Sequence, residues 1–222
     1  MKRQPMSPRP VRFYFDFLSP YSYLASQLLA REARYQSLVL DPRPVVFGTI
    51  LARLGVKGPG EIPARRRHGL QDVLLLASAY DLPLVGPPTH PFNSIYALRS
   101  VVAFDDPQVR LRLSARYFRA AWGEGQSLED LSVLRACLSE LGLDQDPEEA
   151  ATTKEHRQQL KQNTEALLEA GGFGVPTFAI DGLLFFGHDR LPLLLDYLER
   201  GLDPRPDHLA ALLARPQPGR LT

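Results

Sequence analysis

Strand-like sequence is confined to the two ends of this chain, and that confinement limits the folds open to it. Val11 to Phe17 is a bulky, apolar-rich run with no breaker, which reads as a buried strand. Leu38 to Phe47 is a second apolar run, interrupted by Pro42 and Pro44. Prolines cannot donate to a central ladder, so this strand belongs at an edge or carries a bulge. The next strand pattern comes only at Pro176 to Asp181 and Leu183 to Phe186, joined by Asp181-Gly182, a strong two-residue hairpin signal.

Everything between reads as helix or loop. Leu70, Val73, Leu74 and Ala77 fall at helical spacing, as do Leu111, Ala115, Phe118 and Trp122, and Leu131, Leu134, Leu138 and Leu141. Asp146-Pro147-Glu148-Glu149 opens a further helix that is expected to run to Gly171-Gly172. Gly58 to Pro63 and Pro83 to Pro91 are loops. A first helix is expected over Tyr21 to Tyr35, with Ser19 as N-cap and Pro20 at the first turn. A last core helix follows Asp189, its expected N-cap, and stops at Gly201; a short helix around Leu209 to Leu213 follows in the tail. The order predicts an α/β fold in which a β-α-β unit and a β-hairpin-α unit share one sheet. The domain reading is 11–47 with 172–201, a helical insertion at 48–171, and a tail at 202–222.

Composition narrows the function. The 222 residues carry a formal net charge of +1, which leaves no electrostatic footprint for nucleic acid or an anionic membrane. No apolar run approaches the ~20 residues of a membrane span. Met1 to Pro10 is basic and proline-rich without the apolar stretch of a signal peptide; a disordered tip is expected, with a transit peptide as the other reading, and the expected location is cytoplasmic. Cys137 is the single cysteine, so no dithiol redox pair exists in the chain, and it falls beside an apolar helical stripe as a packing residue. His68, His90, His156, His188 and His208 show no ligand spacing, so no metal site is expected.

Three stretches carry chemistry. Ser19, at a helix N-terminus, is either a plain cap or the seat of an anion such as a thiolate; the roles are compatible. Val175-Pro176 opens a strand after a glycine-containing loop. It is either an ordinary trans bond or one of the about 5% of X-Pro bonds that are cis, which would turn the Val175 main chain toward a bound peptide. Asp189 and Arg190, after Gly187 and His188, are either a helix cap with a solvated arginine or a site for an amino-acid head group.

The run from Phe13 to Ala25 resembles 2-hydroxychromene-2-carboxylate isomerases, together with Phe173 to Phe178, Gly187-His188-Asp189-Arg190-Leu191 and Ala121-Trp122-Gly123-Glu124-Gly125. That family is related to kappa-class glutathione transferases and, more distantly, to DsbA-type oxidoreductases. The likeness extends from about Val11 to Arg200. It implies a thioredoxin fold with a large all-helical insertion, in which Ser19-Pro20-Tyr21-Ser22 stands where oxidoreductases have their two redox thiols. It further implies glutathione as cofactor: Ser19 holding its thiolate, Val175 before a cis Pro176 pairing with its backbone, and Gly187, His188, Asp189 and Arg190 holding its γ-glutamyl end. A small-molecule acid substrate and a homodimer follow from the same likeness. The isomerases carry an Asn-Arg pair after the second strand, whereas this chain reads Gly58-Pro59-Gly60-Glu61 there. Tyr21, Arg65, Arg66, Asn93 and Tyr96 are the candidate substrate residues, the arginines being otherwise a solvated helix face. The alternatives are a kappa-like transferase and a non-catalytic thioredoxin-fold module that binds peptides.

Overall fold

A computed structural model describes residues 9–215. Its sheet has four strands, β1 (Val11–Phe15), β2 (Leu40–Pro44), β3 (Thr177–Ile180) and β4 (Leu183–Phe186), in the order β2-β1-β3-β4. β1 runs parallel to β2 and antiparallel to β3, and β3 runs antiparallel to β4. The two ends of the chain therefore meet along β1, where Phe13 lies opposite Pro42 on one side and Phe178 on the other.

β2 is an edge strand, one of the two placements its prolines allowed. Val11 donates to Val39 and Val45 donates to Phe15. Alternate residues of a strand face the same neighbour, so Pro42 and Pro44 present their missing N–H groups to the open edge. The hairpin turn is also as expected, with Asp181 and Gly182 at φ of 54° and 76°.

The helices between β2 and β3 are α2 (Phe47–Leu54), α3 (Pro63–Ala79), α4 (Ile95–Val102), α5 (Pro107–Phe118), α6 (Leu131–Glu140), α7 (Pro147–Thr152) and α8 (Lys154–Glu169). They follow α1 (Pro20–Arg31), which links β1 to β2. One sheet face carries Phe13, whose ring lies 5.1 Å from that of Phe15 and 5.0 Å from that of Phe178, and the row continues from Phe15 to Phe118. All four are fully buried, each worth roughly 1.5–3 kcal/mol of apolar burial. The other face carries Tyr14 and Ala179, packed with Val45, Ile50, Leu167 and Val175.

Several boundaries differ from expectation. β1 stops at Phe15, because Asp16 to Ser19 turns to start α1. α1 ends at Arg31, and Ala33–Tyr35 is a separate 3-10 turn. The helix expected from Pro147 to Gly171 is two helices. Thr152 and Thr153 both donate their hydroxyls to the Glu149 carbonyl, and Thr153 takes an extended conformation between α7 and α8. In α3 only Val73 and Ala77 are buried, while Leu70 and Leu74 face solvent.

The described residues up to Leu191 form one compact unit, and those from Pro192 form a second. The second unit holds most of α9 (Leu191–Arg200), which ends at a left-handed Gly201, and α10 (Pro206–Leu213), exposed throughout. Most of the basic N-terminal segment and the last seven residues lie outside the described residues. No helix among the described residues is long and apolar enough to cross a membrane.

Candidate active site

The chain between β1 and α1 is held at nearly every polar atom. Asp16 is fully buried, and its carboxylate accepts from the backbone N–H groups of Leu18 (3.1 Å) and Phe47 (2.8 Å). Burial pushes its pKa up, and these donors pull against that rise. The Trp122 indole donates to the Phe17 carbonyl at 2.8 Å. Nε2 of His90 lies 2.9 Å from the Leu18 carbonyl; a carbonyl only accepts, so this nitrogen carries the proton. The Ser19 N–H donates to the Asp16 carbonyl.

Ser19 leaves this turn as the N-cap of α1. Its Oγ accepts from the Ser22 N–H at 3.1 Å and donates to the Val175 carbonyl at 3.2 Å. The Val175-Pro176 bond is cis. Gly187 returns a backbone bond to the Pro176 carbonyl at 2.9 Å, which fixes the end of β4 against the start of β3.

A cavity of about 460 Å³ opens beside this junction, within the range of small-ligand sites. Val175, Pro176 and Phe186 to Arg190 line one side; Tyr21 of α1 with Asp72, Leu76 and Tyr80 of α3 and its end line the other. The Tyr21 hydroxyl donates to Asp72 Oδ2 at 2.8 Å. The Tyr21 ring stacks on His188 with centroids 5.6 Å apart, and Tyr80 meets the same imidazole edge-on at 5.9 Å. His188 is only 6% exposed, and its Nε2 has no hydrogen-bond partner among the described residues. Burial holds its pKa below the usual imidazole value, more strongly than the carboxylates of Asp189 and Asp72 raise it. Asp189 pairs with Arg190 at 3.3 Å. Gly187 has φ of 109°, a backbone conformation that side-chain-bearing residues rarely adopt, so this position favours glycine.

A strand-helix-strand unit and a hairpin meet where the cis Val175-Pro176 bond faces the N-cap of α1. The DSBA-like thioredoxin domain matches residues 10–199. The chain belongs to the DSBA-like thioredoxin family. Among relatives of this DSBA-like chain, the 2-hydroxychromene-2-carboxylate isomerase of Sphingobium xenophagum is 32% identical over 197 residues, 86% of this chain and 98% of that protein. Glutathione S-transferase kappa 1 of Homo sapiens is 28% identical over 222 residues, 93% of this chain and 98% of its own. A solved structure of a 2-hydroxychromene-2-carboxylate isomerase superimposes with a TM-score of 0.79 at 26% identity, covering 93% of this chain and 100% of the other.

The DSBA-like fold brings Tyr21, Val175, Pro176, Gly187, His188, Asp189 and Arg190 to one cavity, with Ser19 in contact with Val175. Asp189 is not a helix cap: it lies within a 3-10 turn, His188–Arg190, ahead of α9. The other four expected residues do not line the cavity. Arg65 and Arg66 sit exposed on the first turn of α3. Asn93 caps its own loop, accepting from the Ile95 N–H, and Tyr96 is half-buried on α4. Sequence reasoning missed Asp72, Leu76 and Tyr80. Their spacing of four places them on one face of a helix, which was a readable signal. It also missed Asp16 and His90, whose roles depend on contacts distant in sequence. Trp122 is buried as core, yet its indole N–H also serves the turn.

Proposed function

We propose that this chain is a glutathione-dependent isomerase of the 2-hydroxychromene-2-carboxylate isomerase type, acting on an unsaturated acid from aromatic degradation. The observation that carries this reading is the Ser19 hydroxyl facing cis Val175-Pro176 beside a cavity that ends at His188-Asp189-Arg190. The chain has no thiol of its own to compete. Cys137 is buried, and that burial raises its pKa to about 11. The unpartnered Nε2 of His188 and the paired charges of Asp189 and Arg190 fit a cofactor with an amino-acid head group.

Glutathione held here would supply a thiolate for reversible addition to a conjugated carbonyl acid and would be recovered unchanged. The residues of the chain serve that exchange. Ser19 has one hydroxyl proton, spent here on the Val175 carbonyl; turned toward a sulfur instead, it stabilises the thiolate together with the N-terminal amides of α1. Val175 then offers its main chain to the cofactor backbone. Asp189 accepts from an ammonium, and Arg190 answers a carboxylate. Residues 11–47 with 172–201 form the thioredoxin-like part on this reading, with 48–171 as its insertion and 202–222 as a tail, in a cytoplasmic homodimer.

A kappa-like transferase is the second reading, favoured by the human relative that matches over 93% of the chain. Incubation with glutathione and the chromene acid separates the two. Full recovery of glutathione with an isomerised product supports the isomerase; its net consumption supports the transferase. Ser19→Ala tests the mechanism shared by both. Loss of the cap costs about 1 kcal/mol of stability, while turnover falls by roughly 100-fold, the scale of one charge-stabilising donor. Unchanged turnover in this variant rules out Ser19 as the thiolate's partner. Absence of glutathione binding in calorimetry leaves the peptide-binding module as the better reading.

A further inference from the structure

His90 holds the Ser19 turn from outside the cavity described above and has no part in the function proposed so far. Its Nε2–H donates to the Leu18 carbonyl at 2.9 Å, and that carbonyl is bonded directly to the Ser19 nitrogen. One hydrogen bond and one peptide group thus separate the imidazole from Ser19. We propose that Nδ1 of His90 accepts a hydrogen bond from a hydroxyl group of the acid substrate, which makes His90 a specificity-determining residue. The inference rests on the glutathione-dependent reading and adds a substrate contact to it.

Three observations support it. The bond to Leu18 fixes the tautomer: Nε2 carries the proton, so in the neutral ring Nδ1 holds a lone pair and only accepts. Trp122 meets the half-buried ring edge-to-face with centroids 5.5 Å apart, so the orientation of that lone pair is set from two sides. Secondly, Nδ1 makes no hydrogen bond to any described residue. Thirdly, its edge of the ring faces Gly60, in the turn Pro59–Glu61. A Cβ at Gly60 would lie 3.7 Å from Cε1 and 3.9 Å from Nδ1 of His90, so glycine leaves this nitrogen uncovered where a side chain would lie against it. The turn is itself held, because Glu61 accepts from the Gly58 N–H at 2.7 Å. A ligand group that meets an oriented lone pair must bring a donor. An ionised carboxylate has none, and a hydroxyl has one. A site built to pair with a hydroxyl rejects the analogue that lacks it.

Calorimetry on the full chain with saturating glutathione tests this with two acids, 3-(2-hydroxyphenyl)propionate and 3-phenylpropionate. Neither has a conjugated double bond, so neither takes up the thiol. Wild type is expected to bind the hydroxy acid about 10-fold more tightly, the scale of one hydrogen bond. His90→Gln places an amide N–H where Nε2 stands, which keeps the bond to Leu18, and has no acceptor at the place of Nδ1. It is expected to bind the two acids equally, and 3-phenylpropionate as wild type does. Nitrogen NMR of His90 in wild type gives a second readout that needs no variant: an unprotonated Nδ1 is expected, shifted by the hydroxy acid alone. A protonated Nδ1, equal binding of the two acids by wild type, binding of neither, or an unchanged preference in a folded His90→Gln each overturns the proposal. The glutathione reading stands in all these cases as long as glutathione itself binds wild type, and failure of that binding overturns both.

Discussion

A single buried imidazole sets the proton balance of the cavity. His188 is kept neutral chiefly by burial, against the pull of Asp189 and Asp72. Its folded pKa lies below the unfolded value, so between the two the unfolded chain binds a proton that the folded chain does not. Stability is therefore lost as pH falls through the usual imidazole range near 6.5. Urea unfolding of wild type and His188→Asn across pH 7 to 5 checks this: the variant should show the flatter dependence, and parallel curves would refute it. His188 stood out in the sequence for its place beside Asp189, but its unpartnered nitrogen did not. That property comes from Tyr21 and Tyr80 closing over the ring.

At the scale of elements, the β1–α1 turn is positioned by parts of the chain that share no sequence pattern with it. Trp122 lies in a π-helical turn, Arg119–Gly123, that continues α5. Its own carbonyl accepts from Val85 and Gly86, while its indole reaches Phe17. Trp122→Phe keeps an aromatic core residue and leaves the Phe17 carbonyl without this donor. The expected cost is about 1–3 kcal/mol in denaturant unfolding, with turnover lowered because the Ser19 turn loosens. Wild-type stability and turnover would show that the bond does not position the turn. Helical spacing through Trp122 was visible in the sequence; the π turn and its partner were not. The break at Thr153 is similar. Two adjacent threonines are compatible with a continuous helix, and only their shared bond to Glu149 reveals the junction.

For the whole molecule, the helices between β2 and β3 do more than fill an interval. They bring Asp72 and Tyr80 from α3 against residues that follow β4. Every cavity residue lies at or before Arg190, within the first unit, and the family match ends at residue 199. A chain ending at Gly201 should therefore bind glutathione with the affinity of the full chain. Calorimetry on the two forms decides it, and a tenfold loss would show that the tail, including the exposed α10, takes part in binding.

The order of the strands, the helical interval between β2 and β3, the Asp181-Gly182 turn and the cap at Ser19 were determined by the sequence, whereas α2 and α4 were not foreseen in it. The features so determined depend on local rules: side-chain period, the freedom of glycine, the reach of a serine hydroxyl. The resemblance added the grouping of Ser19, Val175 and Asp189. Tertiary structure alone decided that Ser19 faces the Val175 carbonyl, that Asp16, His90 and Trp122 hold its turn, and that Asp72 stands with Asp189. Those are contacts between residues far apart in the chain, and their geometry exists only once the sheet has brought both ends together.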